Sequence, residues 1–215
     1  MPTRDWQEPF DTKQLQEPAL WVARQLLGRV IQTQDNSEQV SVLITETEAY
    51  SQQERGSHSY GGRRTQRTEP MFATGGICYV YFIYGMHWAL NVVTGPAGHG
   101  EAVLIRGVVP LPDSEAAVRQ RRKRIDVKDL RKLADGPGKV CQALAVTGAV
   151  NRTPLGPLGP LTLLQGWPQR DADIETLPRV GIDYAGEDAK LPWRFRTRLQ
   201  VPLPWLERQA APRKA

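Results

Sequence analysis

Ile77-Cys78-Tyr79-Val80-Tyr81-Phe82-Ile83-Tyr84-Gly85-Met86-His87-Trp88-Ala89-Leu90-Asn91-Val92-Val93 is the stretch that decides the fold. Two runs of β-branched and aromatic residues flank a short glycine-containing turn, the pattern of a β-hairpin. Half of the six tyrosines in the chain stand within six residues of it, at 79, 81 and 84. Tyr84 falls just before the turn, where a side chain projects away from a core. A core strand needs no phenol at its tip, but a surface that stacks on or wedges between flat partners does. Nucleobases are the flat partners that a chain of net charge +5 attracts.

Working outward, Gln39 to Tyr50 and Arg29 to Gln34 read as paired strands across an Asp35-Asn36-Ser37 turn. Leu15, Ala19, Leu20, Ala23, Leu26 and Leu27 recur at helical spacing, with Gly28 as the stop. Ser51 to Thr74 is polar and rich in Arg and Gly, a long loop of the kind that is either functional or disordered. After the hairpin come a loop from Gly95 to Gly100, a strand from Ala102 to Val108, and one or two basic helices introduced by Pro110 and Pro112 and running to about Leu133. Gly136-Pro137-Gly138-Lys139 opens a helix over Val140 to Val146. Short strands are expected at Leu161 to Leu164, around Val180, and at Trp193 to Thr197. Strands without regular βα alternation predict a mixed, largely antiparallel α+β single domain over residues 1–215; the fold expected for it is a curved sheet flanked by helices with a protruding hairpin.

The 215 residues suffice for one substantial core. Basic residues concentrate between Arg119 and Lys132, at Arg119, Arg121, Arg122, Lys123, Arg124, Lys128, Arg131 and Lys132, and again at Arg63, Arg64 and Arg67. Such a face attracts phosphates by releasing counterions; for the 119–132 run a solvated helix face is an equal alternative. Cys78 and Cys141 are far apart and lack metal-type spacing, and with His58, His87 and His99 they make no zinc pattern. Metal catalysis is therefore not expected, and the resemblance described below implies that no cofactor is used. The N-terminus lacks an apolar signal core and no apolar run reaches membrane-spanning length, so a soluble protein is expected, with no membrane partner, cytoplasmic in a bacterium or nuclear in a eukaryote.

Thr45-Glu46-Thr47-Glu48-Ala49-Tyr50 closes a strand, and period-two geometry puts Glu46, Glu48 and Tyr50 on one face with Thr45 and Thr47 on the other. A carboxylate beside an aromatic ring can activate water while the ring stacks on a substrate. Taken alone, the hexapeptide reads first as a solvent-facing strand with charged side chains, and spacing does not say which glutamate acts. His58, beside Gly61-Gly62, is either a loop residue that approaches a phosphate or base closely, or an ordinary surface histidine. Lys139 at a helix start either meets a phosphate or caps the helix.

Glu48-Ala49-Tyr50, His58-Ser59-Tyr60-Gly61-Gly62-Arg63, Met71-Phe72, the hairpin to Met86, Asn91-Val92, Leu104-Ile105-Arg106, Gly136 to Leu144, Arg179-Val180-Gly181-Ile182 and Trp193-Arg194-Phe195 together resemble, in order, the 3-methyladenine (alkyladenine) DNA glycosylase family. The resemblance covers roughly residues 17–200; residues 201–215 have no match and suggest a basic tail. It implies a metal-free, monofunctional glycosylase of base excision repair. Such an enzyme flips alkylated or deaminated purines out of double-stranded DNA and leaves an abasic site, acting as a monomer. On that resemblance Glu48 is the general base for water, and Tyr50, His58 and Tyr81 enclose the flipped base. Asn91 crowds the amino group of normal guanine, Tyr84 and Met86 enter the duplex at the hairpin tip, and Arg106, Arg63 and Lys139 meet phosphates. Tyr79 is most simply structural. A binding module without catalysis, and a glycoside hydrolase using Glu46 and Glu48 as paired acids, are the competing readings.

Overall fold

The computed structural model describes residues 6–33, 38–83 and 85–198. Tyr84, the Asp35-Asn36-Ser37 turn and the 201–215 tail, each singled out in the sequence, lie outside the described residues. After a 3-10 turn at Thr12–Gln16 comes helix α1, Ala19–Gln25. The apolar spacing from Leu15 to Leu27 predicted one helix, but Pro18 has no N–H to donate and stands at the boundary with extended ψ 145°. The free Ala19 N–H is taken by Glu101 Oε2, at 2.8 Å. Gly28 ends the helical segment as expected, at φ +80°, and a Cβ there would lie 1.9 Å from the Trp167 carbonyl oxygen.

Strands β1, Val30–Thr33, and β2, Ser41–Ser51, follow, then the 51–77 loop, and the hairpin pairs β3, Cys78–Ile83, with β4, His87–Val93. Next are β5, Glu101–Pro110, α2, Glu115–Arg122, α3, Pro137–Ala143, β6, Leu161–Leu164, β7, Ile174–Leu177, and β8, Arg194–Thr197. α3 begins three residues before the expected Val140, because Pro137 fits its first turn. The strand expected around Val180 is instead β7; Pro178, which lacks a ladder donor, follows its last residue.

Among the described residues every ladder is antiparallel, in the order β3-β4-β5-β2-β1-β6, with β8 pairing β2 and β7 pairing β8. The result is a curled mixed α+β domain, as the strand pattern predicted. The long strand β2 is central: β5 runs along one edge, while β1 and β8 divide the other at residues 41–43 and 46–48. One face packs on the helices through Val42, Ile44, Ala49, Val80, Leu90, Val92, Val103 and Ile105, all at most 3% exposed.

The β2–β5 ladder contains two opposed irregularities. Ile44 pairs Val108, Glu46 pairs Gly107, and Thr47 pairs Ile105, so Thr45 on one strand and Arg106 on the other have no ladder partner. Bulged residues re-aim side chains. The expected alternation of Glu46, Glu48 and Tyr50 holds beyond the bulge, whereas Thr45 falls on the bulge itself.

Candidate active site

On the other face of the sheet a cavity of about 690 Å³ opens between the hairpin, β2, β5, the 51–58 loop and the segment after β7. Period two along three strands supplies its walls: Glu48 and Tyr50 from β2, Tyr79 and Tyr81 from β3, Leu104 and Arg106 from β5. Asn91 on β4 is pinned by donating from Nδ2 to the Tyr79 carbonyl oxygen at 3.1 Å. Six residues singled out in the sequence, Glu48, Tyr50, His58, Tyr81, Asn91 and Arg106, therefore line one cavity. Arg63 and Met86 are exposed and lie outside this wall, as does Lys139, which pairs with Asp135 at 2.5 Å.

Glu48 is 0% exposed and its carboxylate is fixed from two sides. The Tyr50 hydroxyl donates to Oε2 at 2.8 Å and the Val180 N–H donates to Oε1 at 3.0 Å, while Arg106 Nε stands 3.5 Å from Oε1. Burial raises the Glu48 carboxyl above the ordinary glutamate range, against the opposing pull of Arg106, Tyr50 and the Val180 N–H; the charge of Glu46 adds to the rise. Burial likewise pushes the Tyr50 phenol upward, so at neutral pH it is a donor to the carboxylate.

The aromatic wall is connected. His58 stands edge-on to Tyr81 with ring centroids 4.6 Å apart, and its Nδ1 lies 3.0 Å from the Tyr79 hydroxyl. Burial, and secondarily the positive charge of Arg67, push His58 down to about 4, leaving a neutral imidazole at physiological pH. Tyr79, expected to be structural, is buried at 1% exposure but also supports His58 and lines the cavity.

The roles of three residues at the site, Arg179, Glu54 and Arg67, were not read from the sequence, although Arg179 stands in a segment that carries the resemblance. Arg179 is buried between the Tyr50 and Trp193 rings, 4.7 and 5.2 Å from their centroids, and donates to both oxygens of Glu54 at 2.6 and 2.7 Å. That fork ties the 51–58 loop to the segment whose next N–H holds Glu48. Glu54 and Arg179 are 125 positions apart, and nothing local in the sequence marks the pair. Arg67, which sequence reading placed only in a basic cluster, lies 5.0 Å over the Tyr81 ring at the cavity wall. Among the described residues no three His, Cys, Asp or Glu side chains converge in a metal-binding group, and no helix is long and apolar enough to cross a membrane.

Such a site, with a buried, oriented carboxylate of raised pKa beside an aromatic cage, can accept a flat ring and take a proton from water next to it. The family model described as methylpurine-DNA glycosylase matches residues 13–200. A protein of Desulfitobacterium hafniense (strain Y51), named provisionally as a 3-methyladenine DNA glycosylase, is 41% identical over 182 residues, which cover 82% of this chain and 89% of the relative. Relatives with the same provisional name are 41% identical in Chlamydia abortus (strain DSM 27085 / S26/3), covering 84% of this chain and 93% of the relative, and 40% in Methanocella arvoryzae (strain DSM 22066 / NBRC 105507 / MRE50), covering 83% and 86%.

Proposed function

The chain belongs to the methylpurine-DNA glycosylase family, and on that premise we propose that it flips alkylated and deaminated purines out of duplex DNA and hydrolyses their N-glycosidic bond. One observation carries this reading: Glu48, fully buried, is held by Tyr50 and the Val180 N–H at the wall of an aromatic cavity. Glu48 deprotonates the water that attacks the anomeric carbon. The oxocarbenium character that develops on the sugar is stabilised by the same carboxylate. The C1′–N9 bond breaks with its electron pair going to the base, which leaves neutral where alkylation has made it cationic and otherwise takes up a proton from water; the products are a free base and an abasic site, with the strand intact.

Tyr50, His58 and Tyr81 enclose the base. Alkylated purines often carry positive charge, and cation–π attraction of about 0.5–2 kcal/mol favours them in such a cage. A neutral His58 adds no repulsion to that cation. Asn91 crowds a guanine amino group. Arg106 holds the phosphate of the flipped nucleotide through its outer nitrogens, its Nε–H being given to Glu46. Arg63 and Lys139 add phosphate contacts, while Tyr84 and Met86 fill the gap in the stack. Flipping costs a few kcal/mol, least for damaged bases, and stacking of roughly 1–3 kcal/mol per base offsets much of it. The enzyme acts as a monomer.

The test is single-turnover release of base from a duplex carrying one alkylated purine. Glu48→Gln is expected to lower the rate about 10²–10⁴-fold, the usual contribution of a general base, while the abasic-site analogue is still bound. Base release at the parent rate in Glu48→Gln rejects the assignment.

A further inference from the structure

Glu46 stands two residues before Glu48, is 8% exposed, and does not line the cavity. Its Oε1 accepts from Arg106 Nε at 3.1 Å and from Arg194 Nη1 at 3.1 Å. Arg106 Nε is 3.5 Å from Glu48 Oε1, so its N–H is given to Glu46 and only faces Glu48. The backbone builds this arrangement. Arg106 is the ladder-less residue of β5, and Gly107 lies opposite Glu46, where a Cβ would come within 3.0 Å of the Glu46 Cβ. No cavity contact, solvent or helix requires an acid at position 46; two partly buried guanidinium groups do.

We propose that Glu46 is a positioning residue for the reaction, holding Arg106 off Glu48 so that Glu48 keeps its capacity to accept a proton. This rests on Glu48 being the base. The groups facing Glu48 are Tyr50 and Glu46 on β2, Arg106 on β5, Tyr81 on β3 and the Val180 N–H, with Arg194 of β8 reaching it through Glu46. Replacing Glu46 by Gln removes a repelling charge and releases Arg106 to close on Glu48. Both changes favour the Glu48 carboxylate over its protonated form. A weaker base results, ionised to lower pH. Replacing Arg194 by Gln removes a cation and leaves Glu46 to Arg106 alone, which disfavours the Glu48 carboxylate.

The experiment is the pH profile of single-turnover base release, with Glu48→Gln alongside. Glu46→Gln is expected to move the acid limb to lower pH and to lower the plateau roughly tenfold, the scale of one charge-assisted hydrogen bond. Arg194→Gln moves the limb the opposite way, to higher pH, and decides the matter alone if Glu46→Gln does not fold. An acid limb that stays in place in both variants, or moves with the reversed signs, overturns the proposal, even if the plateau falls. Parent-rate release by Glu48→Gln rejects the general-base reading instead, so the two failures are distinguishable.

Discussion

Two regions of the molecule carry concentrated charge, and they use it in opposite ways. The 119–132 run holds eight basic residues in fourteen positions. Arg119 binds Glu115 and the Val127 carbonyl, each at 2.7 Å; Arg121 reaches the Ala143 carbonyl and Glu38; Arg122 reaches the Leu133 carbonyl and Gln142; Arg131 pairs with Asp129. Much of this basic face staples α2, its following loop and α3 to one another. At the cavity the charges are sparse in sequence, at Glu46, Glu48, Glu54, Arg106, Arg179 and Arg194, yet they converge in space and are largely buried. Charge dense along the chain sits near water and is cheap to keep. Buried charge is costly unless each group has its partner, so a chain retains it for geometry or chemistry.

That contrast is broken or sharpened by mutation. Glu54→Ala leaves Arg179 buried without its acid and is expected to cost about 3–5 kcal/mol in denaturant unfolding, along with most base release. A loss below about 1 kcal/mol would put the cavity cluster on the footing of the surface run. Glu48→Gln moves stability the other way. Ionising Glu48 is harder in the folded chain than in the unfolded one, so the parent loses stability as pH rises from the ordinary glutamate value, 4.5, through the raised folded one. The Gln variant escapes that loss; its advantage, on the order of 1 kcal/mol, grows over the same window and is flat above it. Melting temperatures measured from pH 4 upward in about half-unit steps give the sign. An advantage that shrinks with pH contradicts the assigned direction.

In the run, Arg124→Gln and Lys128→Gln are each expected to change stability by less than about 0.5 kcal/mol. If these side chains meet phosphates, each replacement also lowers the slope of log affinity against log salt by roughly one on undamaged duplex. An unchanged slope assigns the run to stapling alone. The smallest effect is on the thiols: Cys78 and Cys141 are buried and both pushed up to about 12, so native protein is expected to resist alkylation that goes to completion after unfolding.

The hairpin and β6 were legible because period two and turn chemistry act locally; β6 falls on the expected residues, Leu161 to Leu164. The helix at residues 15–27 was misread because apolar spacing runs straight through Pro18, a backbone fact that periodicity does not register. At the site, the same-face arrangement of Glu46, Glu48 and Tyr50 followed from strand geometry, but the choice of Glu48 came from resemblance. The choice has a physical counterpart only in three dimensions, where Val180, 132 positions away, and Tyr50 orient one carboxylate while two arginines occupy the other. The pairing of Glu54 with Arg179 was invisible for the same reason.

The unpaired Thr45 and Arg106 have a consequence for how such a site is installed in a sheet. A single extra residue in one strand is a dislocation: every pair beyond it slips, and the buried and open faces exchange. Here a residue is added to each strand within the span of one turn of pleat, and the slips cancel, so Val42↔Pro110 on one side and Glu48↔Leu104 on the other belong to one unbroken register. The defect has no net displacement and its strain stays local. The chain can thus carry a guanidinium in the middle of a continuous ladder without redesigning the strands on either side, and loss of both residues together would heal the sheet while emptying the site of its cation.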